Sequence, residues 1–247
     1  MKRYGLIGRT LTHSFSKNYF TKKFAEEGLK DCEYENFELK TVDEFQPLLS
    51  KYPDIKGLNV TIPYKESVVQ FLTNKNAIVE AIGACNCIFV DGNQLTGYNT
   101  DAIGFRNSLE PQLKPHHKNA LILGTGGAAK AIRYVLEELG IAYQLVSRRK
   151  VEGQCGYEDI GEELLSTHHL IINTTPLGMY PNVDADPPIP YRFITPQHFL
   201  FDLIYNPEKT KFLAEGEKQG AQICNGYQML IEQAEAAWKI WNGENNS

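Results

Sequence analysis

Ala120-Leu121-Ile122-Leu123-Gly124-Thr125-Gly126-Gly127-Ala128-Ala129-Lys130 is the stretch on which the reading of this chain turns. Four apolar residues read as a buried strand that runs straight into closely spaced glycines, and Lys130 to Leu139 then carries a helical pattern that closes at Gly140. In that setting G-x-G-x-x-A has a physical meaning. Gly124 permits a tight turn, Gly126 lets backbone approach a pyrophosphate, and Ala129 allows close helix-to-strand packing. The start of the helix adds N–H donors and the positive end of its dipole, so a dinucleotide site is expected here. The next strand, Ala142 to Val146, ends at Ser147-Arg148-Arg149-Lys150, roughly twenty residues on, where an NAD-binding domain usually places an acid for the ribose 2′-hydroxyl. Here the position is basic. Guanidinium groups suit a 2′-phosphate, so NADP is expected in preference to NAD.

Outward toward the N-terminus the pattern is the βαβ rhythm of a mostly parallel sheet. Tyr4 to Ile7, Cys32 to Leu39 and Gly57 to Val60 read as strands, and Ser16 to Glu27, Val42 to Ser50, Lys65 to Leu72 and Ala77 to Ile82 as helices. Cys87 to Val90 and Leu95 to Tyr98 flank Asp91-Gly92-Asn93, a hairpin turn, and Thr100 or Asp101 can cap a helix through Leu109. Glu110 to Lys118, with two prolines and two adjacent histidines, breaks the periodicity and reads as a seam between domains, with His116 and His117 as loop residues. From Lys150 to Leu170 the chain is short and rich in glycine, so the usual helix after the second strand of the dinucleotide domain is expected to be truncated. The polar tail from Gly243 to Ser247 reads as frayed.

Composition narrows the class. With 247 residues, 42% of them hydrophobic, the chain can bury two modest cores without disulfides or metal. Its net charge of -5 argues against a phosphate-backbone partner, so nucleic acid is not expected. No apolar stretch is long enough for a membrane helix, and none follows the basic start MKRYGLIGRT, so a cytoplasmic protein with no membrane contact is expected. Five cysteines without a C-x-x-C suggest buried free thiols and no metal site.

Four clusters in the expected first domain carry more polar groups at strand ends than packing requires: Thr12-His13-Ser14-Phe15-Ser16, Gly57-Leu58-Asn59-Val60-Thr61-Ile62-Pro63-Tyr64-Lys65-Glu66, Gly83-Ala84-Cys85-Asn86-Cys87, and Gly97-Tyr98-Asn99-Thr100-Asp101. Each has an ordinary structural role available. Ser14 can cap a helix, Lys65 can be a surface cation, Asn86 a turn residue and Asp101 a helix cap. Lys65 in the first turn of a helix would sit against the dipole, which invites a reason for it.

In order and spacing these clusters, written H-S-x-S, N-V-T-I-P-x-K, G-A-x-N and N-T-D-x-x-G, resemble the shikimate dehydrogenase family. So do the G-T-G-G-A-A loop, Asn173-Thr174-Thr175-Pro176-Leu177-Gly178-Met179, Asp202-Leu203-Ile204-Tyr205, and Gly226-Tyr227-Gln228-Met229-Leu230-Ile231-Glu232-Gln233-Ala234. The resemblance implies an N-terminal α/β substrate domain with a mostly parallel sheet and a C-terminal Rossmann NADP-binding domain, with a cleft between them. The domains are expected at residues 1–101 and 102–225, with a final helix from 226 to 247 rejoining the first.

The implied reaction is the NADPH-dependent, reversible reduction of 3-dehydroshikimate to shikimate in aromatic amino acid biosynthesis. Lys65 and Asp101 are then expected at the reacting oxygen, Ser14 and Ser16 on the substrate carboxylate, and Thr61, Asn86, Tyr205 and Gln233 on its ring and hydroxyls. Gly124, Gly126, Gly127 and Ala128 are expected at the pyrophosphate, and Ser147, Arg148 and Arg149 at the 2′-phosphate. Thr174, Leu203 and Gly226 fall toward the nicotinamide. Other readings remain: a quinate or dual-specificity dehydrogenase on the same fold, or a dinucleotide-binding sensor without catalysis. A monomer or a homodimer is compatible with the sequence.

Overall fold

Burial of five successive residues, Tyr4 to Gly8, marks β1 (Lys2–Gly8) as a strand covered on both faces, the usual state in a parallel sheet. The computed structural model describes residues 1–11, 14–148 and 155–244. Around β1 lie β2 (Cys32–Glu38), β3 (Ile55–Val60), β4 (Asn74–Lys75), β5 (Cys87–Asp91) and β6 (Gln94–Tyr98), in the order β2-β1-β3-β5-β6-β4. β5 runs antiparallel to β3 and β6, and the other pairings are parallel. The helices of this half are α1 (Phe15–Glu26), α2 (Phe45–Lys51), α3 (Ala77–Ile82) and α4 (Thr100–Leu109). A 3-10 turn, Val42–Glu44, leads into α2 where one continuous helix was expected.

Two expectations fail here for identifiable reasons. No α-helix covers Lys65 to Leu72; the segment is a turn followed by a 3-10 helix, Ser67–Phe71. The Lys65 carbonyl accepts the Cys85 N–H at 2.7 Å, which commits the acceptor that an α-helix starting there would need for its first bond. Nor does Thr100 or Asp101 cap α4. Asn99, 2% exposed, does so by accepting the Ala102 N–H on its Oδ1 at 3.1 Å.

The second sheet is built from β7 (Asn119–Leu123), β8 (Ala142–Ser147), β9 (Cys155–Gly156), β10 (Leu170–Asn173), β11 (Phe199–Asp202) and β12 (Gln222–Cys224), all parallel, in the order β9-β8-β7-β10-β11-β12. Counted within this half the order is 3-2-1-4-5-6, the doubly wound Rossmann arrangement, with its switch point between β7 and β10. α5 (Gly127–Glu138), α6 (Glu162–Leu165) and α7 (Lys211–Lys218) accompany it, and α8 (Tyr227–Trp241) follows β12. α5 begins at Gly127, earlier than the Lys130 expected from apolar periodicity, because the small residues of the loop already carry helical backbone.

The chain divides into two compact units, Met1–Ile103 with Gln233–Ser247, and Gly104–Glu232. The divisions fall inside α4 and α8, where an unbroken helix gives no linker signal in the sequence. Glu110 to Lys118 is therefore no seam: it lies within the second unit, where His117 is 3% exposed and accepts the Lys114 N–H on Nδ1. In the first unit α8 returns an aromatic plug. Trp241 stacks on Tyr4 with ring centroids 5.1 Å apart, donates Nε1–H to the Ile88 carbonyl at 3.1 Å, and lies so close over Gly57 that a Cβ there would strike its indole.

Candidate active site and dinucleotide site

In the first unit the connections that follow β1, β3 and β6, and the residues that lead into β5, all lie at one end of the sheet. Register enforces this: Leu6 pairs with Asn59, Asn59 with Cys87 and Cys87 with Tyr98, so Ser14, Thr61, Asn86 and Asp101 each follow or precede a strand at the same edge. This is the carboxyl end of the parallel strands, where open α/β sheets bind ligands. Here Lys65 Nζ meets Asp101 Oδ2 at 2.7 Å, with the lysine side chain 34% and the aspartate 23% exposed.

A chain of hydrogen bonds between side chains lies behind the pair. Asn86, 3% exposed, accepts the Thr100 N–H on Oδ1 at 2.6 Å and donates Nδ2 to the Thr100 hydroxyl at 3.0 Å. Asn99 donates Nδ2 to the Ala84 carbonyl at 3.0 Å while capping α4. The first turn of α4 is thus held by two buried asparagines, and Asp101, relieved of capping, turns its carboxylate to Lys65. Farther back, Tyr34 donates its hydroxyl to Asn59 Oδ1 at 2.7 Å, with Ser16 beside it. Beside the pair, burial pushes the Cys85 thiol up to about 12, so it packs there as a neutral group.

The remaining expected substrate residues are placed less uniformly. Ser14 caps α1, accepting the Lys17 N–H at 3.1 Å, and stays half-buried; Thr61 is half-buried just past β3. Gln233 is 8% exposed on α8 within the first unit, whereas Tyr205 belongs to the second unit and is 40% exposed. Asn59 and Asn99 stand in the polar clusters but received no role from the sequence, and Tyr34 was not singled out. The preference of asparagine for helix caps was the available signal for Asn99; nothing local marks Tyr34.

The second unit builds its site from backbone. Gly124 has φ +110, and a Cβ there would come within 2.7 Å of Thr174 Oγ1, so both conformation and packing demand glycine. Thr174 in turn donates its hydroxyl to the Leu123 carbonyl at 2.9 Å. Gly126 caps α5, and a Cβ on it or on Gly127 would meet no protein atom within 4 Å. Folding therefore does not require those two glycines. Their lack of side chains keeps the helix start, including Ala128, accessible to a large anion, which is the observation that fits a pyrophosphate.

A cavity of about 710 Å³ runs from Gly124–Gly126 past Ser147 and Arg148 to Thr174, and Tyr157, which sequence reading missed, lines it as well. Gly226 donates its N–H to the Ile204 carbonyl and is so close to Leu203 that a Cβ would collide with its backbone, which brings those two expected cofactor residues together. Arg149 lies outside the described residues. Below Leu203, Asp202 is fully buried and accepts from Asn173 Nδ2 (3.0 Å), the Ile204 N–H (3.0 Å) and the Thr210 hydroxyl (2.6 Å). Burial nevertheless raises its carboxyl to about 6. Among the described residues no cluster of His, Cys, Asp and Glu could hold a metal ion, and no helix is long and apolar enough to cross a membrane.

Residues 6–88 match the family model of the shikimate dehydrogenase substrate binding domain. A shikimate dehydrogenase (NADP(+)) of Caldicellulosiruptor saccharolyticus is 37% identical over 98% of this chain and 92% of its own. The chain belongs to the shikimate dehydrogenase family. A second shikimate dehydrogenase (NADP(+)), from Clostridium beijerinckii, is 38% identical over 98% of this chain and 92% of its own. Among solved structures, the shikimate 5-dehydrogenase of Thermus thermophilus in complex with NADP(H) and shikimate superimposes with a TM-score of 0.86 at 27% identity, covering 98% of this chain and 94% of that one. Within the shikimate dehydrogenase family the two sheets are thus a substrate-binding unit, which the family model matches, and a Rossmann unit with the glycine loop.

Proposed function

We propose that this chain catalyses the NADPH-dependent reduction of the ring ketone of 3-dehydroshikimate to the hydroxyl of shikimate, and the reverse oxidation. The observation that carries the reading is the 2.7 Å contact of Lys65 with Asp101 at the carboxyl end of the first sheet, with Asn86 and Asn99 fixing the start of the helix that carries Asp101. When bound, NADPH supplies a hydride to the ketone carbon. Lys65, with ammonium hydrogens to spare after one bond to Asp101, delivers a proton to the oxygen as negative charge develops on it. Asp101 holds the ammonium in place and balances its charge, and the one-third exposure of Lys65 gives water a route to replace the proton.

Ser14 and Ser16 supply hydroxyls for the substrate carboxylate, and Thr61, Asn86, Tyr205 and Gln233 bind its ring and hydroxyls. Gly124, Gly126, Gly127 and Ala128 bind the pyrophosphate through backbone. Ser147 and Arg148, with Arg149, recognise the 2′-phosphate, and Thr174, Leu203 and Gly226 border the nicotinamide. The similarity of NADP-dependent relatives over nearly the whole chain supports both halves of this assignment.

The test is a panel of shikimate and quinate against NADP and NAD, read by nicotinamide absorbance. Turnover of shikimate with NADP well above the other combinations is expected. Preference for quinate would transfer the assignment to a quinate dehydrogenase, and no absorbance change with either acid would leave a binding protein without catalysis.

A further inference from the structure

The cavity of the second unit is lined beside Ser147 and Arg148 by one residue with no role in binding so far, Tyr157. β9 pairs with β8 so that Val146 faces Cys155 and Ser147 faces Gly156; the next pair of positions in that register is Arg148 and Tyr157. Tyr157 opens a 3-10 turn, Tyr157–Asp159, whose start is fixed by Asp159 Oδ2 accepting the Gly156 N–H at 2.9 Å. The cavity that holds Gly126, Ser147 and Arg148 is lined by Tyr157, while Glu158 folds back over Gly156. One side of the half-buried Tyr157 ring packs on the core of the second unit. Burial raises its phenol, and the Arg148 charge opposes that rise, which sets the guanidinium within electrostatic reach of the hydroxyl.

We propose that the Tyr157 hydroxyl is a further donor, beside the Arg148 guanidinium, to the 2′-phosphate on the adenosine half of the cofactor. The inference rests on the NADP reading and adds a donor from just past β9, the neighbouring strand, to a site otherwise attributed to Ser147, Arg148 and Arg149. A phenol suits the place: it donates to an anion without adding charge, and a turn capped by Asp159 holds it at little cost in side-chain entropy.

Calorimetric titration of the full chain with adenosine 2′,5′-bisphosphate and with adenosine 5′-monophosphate tests this without turnover. The parent protein should prefer the bisphosphate. Tyr157→Phe, which keeps the packed ring, should weaken bisphosphate binding by roughly tenfold and leave the monophosphate unchanged, as loss of a hydrogen bond to a charged group would. If the parent shows no preference for the bisphosphate, the NADP reading falls and this inference with it. If the parent prefers the bisphosphate but Tyr157→Phe binds it equally well, the NADP reading stands and the hydroxyl contact is overturned. Equal weakening of both nucleotides in Tyr157→Phe, or loss of both in Tyr157→Ala alone, would assign the ring to the base and overturn the proposal as well.

Discussion

The two sheets solve the problem of a functional strand end in opposite ways. In the first, side chains hold side chains: Asn86 and Asn99 fix the start of α4, and α4 carries Asp101 to Lys65. In the second, backbone conformation does the work: Gly124 turns at φ +110, and Gly126 and Gly127 leave the start of α5 uncovered. The difference teaches what each can tolerate. A site built on hydrogen-bonded side chains loses chemistry when one partner is shortened, with its neighbours left in place. A site built on glycine loses binding when any side chain is added.

The sharpest break of this comparison is Lys65→Ala. It should lower kcat by about three orders of magnitude, the range of a lost general acid, while NADP affinity by fluorescence titration stays within about twofold. A matching fall in NADP affinity would show that the two ends are not separable. Next comes Trp241→Ala, which empties the space over Gly57 and should cost about 3–5 kcal/mol in denaturant unfolding of the first unit.

Titration offers a third test, confined to the second unit. The Asp202 carboxyl is raised in the folded state, so its contribution is complete at low pH and is lost as pH rises from the unfolded value of 3.8 to about 6. Asp202→Asn should keep both donors to Oδ1 and gain stability relative to the parent across that window, on the order of 3 kcal/mol by pH 7. His117 acts with the opposite sign. Burial holds it down to about 4, so its stabilisation is complete above the unfolded value of 6.5 and is lost as pH falls toward 4. His117→Asn should therefore flatten the acid limb of a melting-temperature profile, on top of a pH-independent loss from the missing buried ring and its contact with the Gln197 carbonyl.

The smallest stability effect should separate the glycines. Gly126→Ala, with no protein atom near the new methyl, should change the melting temperature by little, yet weaken NADP binding roughly tenfold or more. Gly124→Ala should lose about 1–2 kcal/mol of stability as well, from its left-handed backbone and the Thr174 contact.

How far the sequence could be read follows the same division. The Rossmann half was legible because its constraints are local: a buried strand, glycines at fixed offsets, then a helix. The first-unit site was not, because Lys65 and Asp101 are joined through register between β3, β5 and β6, and neither residue carries that information alone. Their order among the family motifs supplied it. The expected helix at Lys65 failed for a related reason, since the Cys85 N–H that takes the Lys65 carbonyl comes from twenty positions along the chain. Unit boundaries inside α4 and α8 were likewise hidden, as a continuous helix advertises no seam.

The aromatic plug has a consequence for the order of events during synthesis. Tyr4, Phe20, Phe24 and Tyr34 are made early, but the rings that complete their cluster, Trp238 and Trp241, come from α8. The second unit is contiguous in the chain, whereas the first waits for its last helix. The Rossmann half can therefore fold without any segment from outside its own stretch of chain, while the substrate half, although translated first, keeps an open apolar face until the last turns of α8 are free to pack on it.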